Sequence, residues 1–266
     1  MSRLAAAFTQ RRAAALIAYL TVGYPDLEAS LEAVPLLVDN GADIVELGIP
    51  FSDPLADGVT IQQASFAALK NGVTPARCLE MACTLRARLD VPLVFLSYFN
   101  PIWRFGPARF CAQAAGAGVD GLIIPDLPPD EGGELEATAA RHGLDLIYLL
   151  APTSTEGRIR EVARRSRGFI YLVSVTGVTG PRETLPPDLP AFVARVRRAA
   201  TQPLCVGFGI ATPEQAAAVA RLADGVIVGS RLVQIMGSGP GWQAALAACV
   251  RQLREAIDAS SSAPAG

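Results

Sequence analysis

Apolar residues in this chain gather in short, nearly unbroken runs, and between the runs they recur every three to four positions. The runs cover residues 15–22 (ALIAYLTV), 43–48 (DIVELG), 92–98 (PLVFLSY), 121–126, 146–151, 169–175, 203–209 and 225–230. A strand with one solvated face alternates apolar and polar side chains, whereas a strand covered on both faces is apolar throughout. The pattern therefore predicts eight strands, each buried on both sides. The segments between them, such as LEASLEAVPLLVDNGA, EGGELEATAARHG and TPEQAAAVARLA, have helical spacing. Several end in the glycine favoured just past a helix C-terminus.

Eight strand–helix repeats over about 250 residues fit a (β/α)8 TIM barrel. An open doubly wound sheet is the competing architecture. It normally carries a G-x-G-x-x-G first turn, and here that turn is Thr21-Val22-Gly23-Tyr24-Pro25-Asp26. The expected organisation is one barrel domain over residues 1–258, with an extra N-terminal helix near 2–12 and a flexible tail at 259–266. Arg11-Arg12 before an apolar run looks like the start of an export signal. The run is short, however, and no A-x-A cleavage site follows, so a cytoplasmic location is expected.

Composition narrows the chemistry. Lys and Arg total 23 against 25 Asp and Glu, which gives no net attraction to nucleic acid or anionic membrane. The five cysteines form no C-x-x-C pair and read as small buried hydrophobes. His142 is the only histidine, in an Arg-His-Gly expected to end a helix, so neither a Ser-His-Asp triad nor a His-rich metal site is expected. Carboxylates, phenols and backbone amides are what remain.

In a barrel of this kind the active site lies at the C-terminal ends of the strands. Glu46 falls inside the second run, where an inward carboxyl group loses solvation and its pKa rises. It is either a general acid–base or a structural carboxylate paired with an arginine or capping backbone amides. Asp57 follows on the next loop, where an aspartate is commonly only a turn former. Gly177 and Gly180 follow the sixth run, Gly207 and Gly209 end the seventh, and Gly229-Ser230 ends the eighth. Glycines there let backbone N–H groups approach a phosphate, although each alone can simply make a turn. Tyr19, Leu96, Tyr98, Ile123, Tyr171 and Phe208 fall near the same mouth, either as barrel filling or as the wall of a flat aromatic site.

The segments ELGIPFSDPLADG, IIPDLPPDE, LLAPTST, GFIYLVSVTGVTG, VGFGI and ADGVIVGS, in this order, resemble the motif series of the tryptophan synthase alpha subunit family. The likeness runs from about residue 3 to 255. It implies a barrel lyase that cleaves indole-3-glycerol phosphate by a retro-aldol reaction. It further implies passage of indole to a pyridoxal-phosphate beta subunit in an alpha2beta2 complex, with no cofactor in this chain. By motif, Glu46 is implied as the catalytic acid–base and Asp57 as a second carboxylate facing the indole nitrogen. Gly180, Gly209, Gly229 and Ser230 match phosphate-binding positions, and Tyr19, Leu96, Tyr98, Ile123 and Tyr171 match the indole pocket. Thr179 belongs to a closing loop, and Pro50 and Asp53 face the partner. Val59 and Pro181 depart from the usual family residues. A different phosphate-binding barrel enzyme, or an inactive activating subunit, would share the glycine loops without needing both carboxylates.

Overall fold

The computed structural model describes residues 2–9, 13–173, 185–207 and 209–261. The strands are β1 (Ala15–Thr21), β2 (Ile44–Gly48), β3 (Leu93–Leu96), β4 (Gly121–Ile123), β5 (Asp145–Ile147), β6 (Leu149–Leu150), β7 (Ile170–Val173), β8 (Leu204–Gly207) and β9 (Gly225–Val228). The first six helices are α1 (Arg3–Thr9), α2 (Leu27–Asp39), α3 (Val59–Lys70), α4 (Pro75–Arg86), α5 (Phe99–Phe105) and α6 (Pro107–Gly116). Then come α7 (Gly133–Arg141), α8 (Glu156–Arg165), α9 (Leu189–Arg197), α10 (Pro213–Ala220), α11 (Ser230–Met236) and α12 (Trp242–Ser261). Helix α12 thus runs into the segment expected to be a tail, and residues 262–266 lie outside the described residues.

All strand pairs are parallel, in the order β5-β4-β3-β2-β1-β9-β8-β7-β6. The two ends of this sheet, β5 and β6, are halves of one strand interrupted at Tyr148. The sheet therefore closes on itself as the expected barrel. At the interruption the Tyr148 N–H donates to Ser166 Oγ (3.1 Å) instead of joining the ladder.

Strand parity divides the continuously apolar runs into two cores. Ile17, Tyr19, Ile44, Val94, Leu96, Ile123, Ile147, Tyr171, Cys205 and Ile227 form one cluster, the filling of the barrel. Their neighbours, such as Leu16, Ala18, Val45, Leu47, Phe95 and Val226, join the layer between strands and helices. Both faces are apolar because both are covered, and the period of two survives only in which core each residue enters.

Helix α1 closes the N-terminal end of the barrel. Leu4 is fully buried in the inner cluster, Phe8 meets Phe169 at 5.9 Å between ring centroids, and Arg3 pairs with Asp120 at 2.6 Å. With that end plugged, the C-terminal ends of the strands are the open mouth. At the same lower end Asp43, just before β2, accepts the Leu16 N–H (2.8 Å) and an Arg254 Nη1 bond (3.1 Å) from α12.

The cysteines are free, and Cys78, Cys111 and Cys205 are buried as expected. Cys83 is exposed instead, because α4 buries Cys78, Leu79, Met81, Ala82 and Leu85 and turns position 83 outward. His142 caps the C-terminus of α7. Among the described residues, no helix is long and apolar enough to cross a membrane.

Candidate active site

Glu46 sits on β2 in register with Tyr19 of β1 and Val94 of β3. Inward parity is dictated by its neighbours: Val45 and Leu47 pack outward against the helices, so the residue between them faces the lumen. Its side chain is 1% exposed, and neither carboxylate oxygen has a hydrogen-bond partner among the described residues. Burial without a compensating donor favours the neutral acid and lifts the pKa from 4.5 to about 8. The structural alternative, a glutamate paired with an arginine or capping backbone amides, finds no such partner among the described residues.

Asp57 lies in the loop 49–58, one residue before Gly58, the N-cap of α3. The loop is held by short-range bonds, Leu55 N–H to Asp53 O (2.9 Å) and Asp57 N–H to Pro54 O (3.0 Å). Burial raises the Asp57 pKa to about 6, and a hydrogen bond from Tyr98 works in the opposite direction. Two carboxyl groups on one cavity are therefore set apart: at neutral pH Glu46 is mostly protonated and Asp57 mostly ionised.

The cavity that contains both opens at the C-terminal ends of the strands. Tyr19, Leu96 and Tyr171 line it with the carboxylates, as do Gly209, Gly229 and Ser230. Burial keeps the Tyr19 and Tyr171 phenols protonated, since both pKa values are raised well above 10. The Tyr19 hydroxyl group pairs with Thr21 Oγ1 at 3.1 Å. Gly209 has φ +81°, a conformation that side chains rarely adopt, and it follows β8 where the chain must turn sharply. Gly229 and Ser230 open α11.

Other positions fall differently. Ile123 is buried in the inner cluster with Tyr19 and Leu96 but is not part of the cavity wall. Tyr98 also stays off that wall and instead accepts the Ala56 N–H at 2.8 Å. Asp53 is exposed and Pro50 is buried. Thr179, Gly180 and Phe208 lie outside the described residues. Gly58, Ile61, Ile210 and Ile227 line the cavity without having been singled out in the sequence. Only parity within the run GVIVGS marks Ile227 as inward, and nothing local distinguishes Ile61 or Ile210 from core.

A closed parallel barrel with a cavity at the C-terminal strand ends places the chain among the (β/α)8-barrel enzymes. Comparison with known proteins makes this specific. The family model described as tryptophan synthase alpha chain matches residues 5–261. A tryptophan synthase alpha chain from Dehalococcoides mccartyi is 57% identical over 97% of this chain and 100% of that protein. One from Geobacter sulfurreducens is 51% identical over 97% of this chain and 99% of its own. Among solved structures, a tryptophan synthase from Mycobacterium tuberculosis superposes with a TM-score of 0.90 at 41% identity, covering 96% of this chain and 98% of that one. The alpha subunit from Legionella pneumophila gives 0.91 at 36% identity, covering 97% and 99%. The chain belongs to the tryptophan synthase alpha chain family. It is a lyase of tryptophan biosynthesis, and the role of its family is to cleave indole-3-glycerol phosphate and release indole for the beta subunit.

Proposed function

We propose that Glu46 and Asp57 carry the cleavage in this chain, with Glu46 as the acid and then the base. The observation that supports this most strongly is the unpartnered, buried Glu46 carboxyl group on the same cavity as Asp57. Neutral Glu46 protonates carbon 3 of the indole ring, and positive charge develops toward the ring nitrogen. Ionised Asp57 stabilises that charge in a site where water is scarce and fields are strong. The Glu46 carboxylate then takes the proton of the hydroxyl group on the adjacent side-chain carbon. That oxygen forms the aldehyde, the carbon–carbon bond breaks, and its electrons return to the ring. Indole and glyceraldehyde 3-phosphate leave, and Glu46 is protonated again. General acid–base catalysis of this kind contributes about 10²–10⁴-fold.

Tyr19, Leu96, Tyr171 and Ile227 form the wall for the ring, and Gly209, Gly229 and Ser230 take the phosphate. The steps use only side chains of this chain. Pyridoxal phosphate belongs to the beta subunit, which receives the indole in an alpha2beta2 complex. The loop carrying Asp53 is the proposed docking face. Leu55 in that loop is 93% exposed, an apolar side chain that a partner surface would cover. The test is indole release from indole-3-glycerol phosphate by the purified chain, with and without a beta subunit. Turnover that rises on adding the partner is expected. Absence of indole release in both conditions contradicts the reading.

A further inference from the structure

Charge is used unevenly along this chain. Residues 156–167, α8 with its C-terminal flank, hold five arginines against two glutamates, and residues 189–198, α9 with the residue after it, hold three arginines and no acid. The whole chain has a net charge of −2, so this is a local concentration of positive charge.

Several of these arginines are committed to fixed partners. Arg158 pairs with Asp130 at 2.7 Å, Arg165 with Glu136 at 2.7 Å and Arg197 with Asp224 at 2.6 Å. Arg167 donates to the carbonyl oxygens of Arg164 (3.1 Å) and Ser166 (3.3 Å). Arg195 is anchored on the carbonyl oxygens of Pro152 (2.7 Å) and Ser154 (3.1 Å), with Glu156 at 3.7 Å. Arg160, Arg164 and Arg198 differ. All three are exposed, and none has an ion pair or a side-chain hydrogen bond among the described residues.

These three side chains meet Arg195 in one surface groove, where Ala163 and Ala199 add little bulk and Glu156 is the one acid. Arg160 and Arg164 are four positions apart on α8, and Arg195 and Arg198 three apart across the end of α9. Like charges at such spacings repel, so the free chain gains nothing from holding them together. A bound anion relieves that repulsion. The groove shares no residue with the cavity that holds Glu46 and Asp57.

We propose that the groove between α8 and α9 binds a small molecule bearing a diphosphate group, held by Arg160, Arg164 and Arg198. A guanidinium is always charged and presents a planar fork of donors that matches phosphate oxygens. Two linked phosphates offer enough charge and acceptors for three such forks, whereas one phosphate leaves part of the set unused. A compact ligand fits better than a nucleic acid, whose phosphates form a continuous track. The free guanidiniums are confined to this groove, and α8, with 10 residues, is only about 15 Å long. The inference is independent of the cleavage reaction.

The experiment titrates the full chain with inorganic pyrophosphate and with orthophosphate by calorimetry at low salt. Wild type is compared with Arg160→Gln/Arg164→Gln and with Arg77→Gln/Arg88→Gln, which removes the same charge from two exposed arginines outside the groove. Wild type is expected to show saturable pyrophosphate binding at least about tenfold tighter than orthophosphate binding. The groove variant should lose at least about tenfold in pyrophosphate affinity, and the control variant little. Pyrophosphate should also raise the Tm of wild type more than that of the groove variant. Without ligand, the groove variant should keep the wild-type Tm, kcat and KM, because its substitutions are at the surface. Absence of saturable binding, or an equal loss in both variants, overturns the proposal. So does unchanged affinity in the groove variant with competitive inhibition of indole release, which assigns pyrophosphate to the Glu46 cavity. Tighter binding of a single-stranded oligonucleotide than of pyrophosphate, lost in the groove variant, overturns the choice of ligand.

Discussion

The Tyr19 hydroxyl group occupies the space that a side chain at position 48 would need: a Cβ at Gly48 would lie 2.2 Å from it. Gly48 closes β2 two residues after Glu46, so the absence of a side chain there lets the phenol lie across the strand end beside the Glu46 carboxyl group. Gly48→Ala must displace Tyr19 or the strand. Overpacking of this kind costs about 1–3 kcal/mol. The expected result is lower thermal stability together with a fall in kcat/KM. Unchanged values of both would mean that Tyr19 has room to move at no cost.

Arg254 fastens α12 to the lower end of the barrel. It is nearly buried, bonds Asp43 at 3.1 Å and the Ala14 carbonyl at 3.2 Å, and also reaches Asp258. Arg254→Met removes the guanidinium from a buried carboxylate that also accepts the Leu16 N–H. Removing one partner of a buried ion pair costs about 3–5 kcal/mol. In a chain of this size that lowers Tm by more than about 6 °C. Because the site lies at the other end of the strands, KM for the folded variant should stay near the wild-type value. Calorimetry and steady-state kinetics check the two halves separately.

Glu46 makes stability depend on pH in a defined direction. Its folded pKa of about 8 lies above the ordinary 4.5, so between these values the native state holds a proton that the unfolded chain has released. Stability from this group is fully present below about pH 4.5 and is lost as pH rises through 8. The full loss is on the order of a few kcal/mol. Glu46→Gln cannot ionise and escapes it. The variant should therefore gain Tm relative to wild type progressively from pH 5 to pH 8.5. A Tm difference that is the same at every pH would show that Glu46 does not titrate in this range.

Much of this architecture was legible because the barrel imposes a strong pattern. Strands covered on both faces must be apolar throughout, and eight such runs leave few alternatives. The break at Tyr148 was not legible, since Ser166, which captures the N–H there, is eighteen residues away. In the site, Glu46 was conspicuous as a charge within an apolar run. Asp57 was ambiguous, because its loop reads like any turn until burial and Tyr98 are seen. Tyr98 itself showed only its residue type: its approach to Ala56 spans 42 positions. Ile61, Ile210 and Ile227 were hidden for the opposite reason, being apolar residues in a chain that is 51% apolar.

The central claim is that a protonated Glu46 and an ionised Asp57 work together, and the pH dependence of kcat/KM for indole-3-glycerol phosphate tests it most directly. Values of about 6 for Asp57 and about 8 for Glu46 predict a bell with its maximum near pH 7. Activity falls below the lower value as Asp57 gains a proton and above the upper one as Glu46 loses its own. Glu46→Gln should lower kcat/KM by about 10²–10⁴-fold at the optimum while a glycerol phosphate analogue still binds. A wild-type profile flat from pH 5.5 to 8.5, or a Glu46→Gln variant that keeps most of the wild-type rate, would contradict the account.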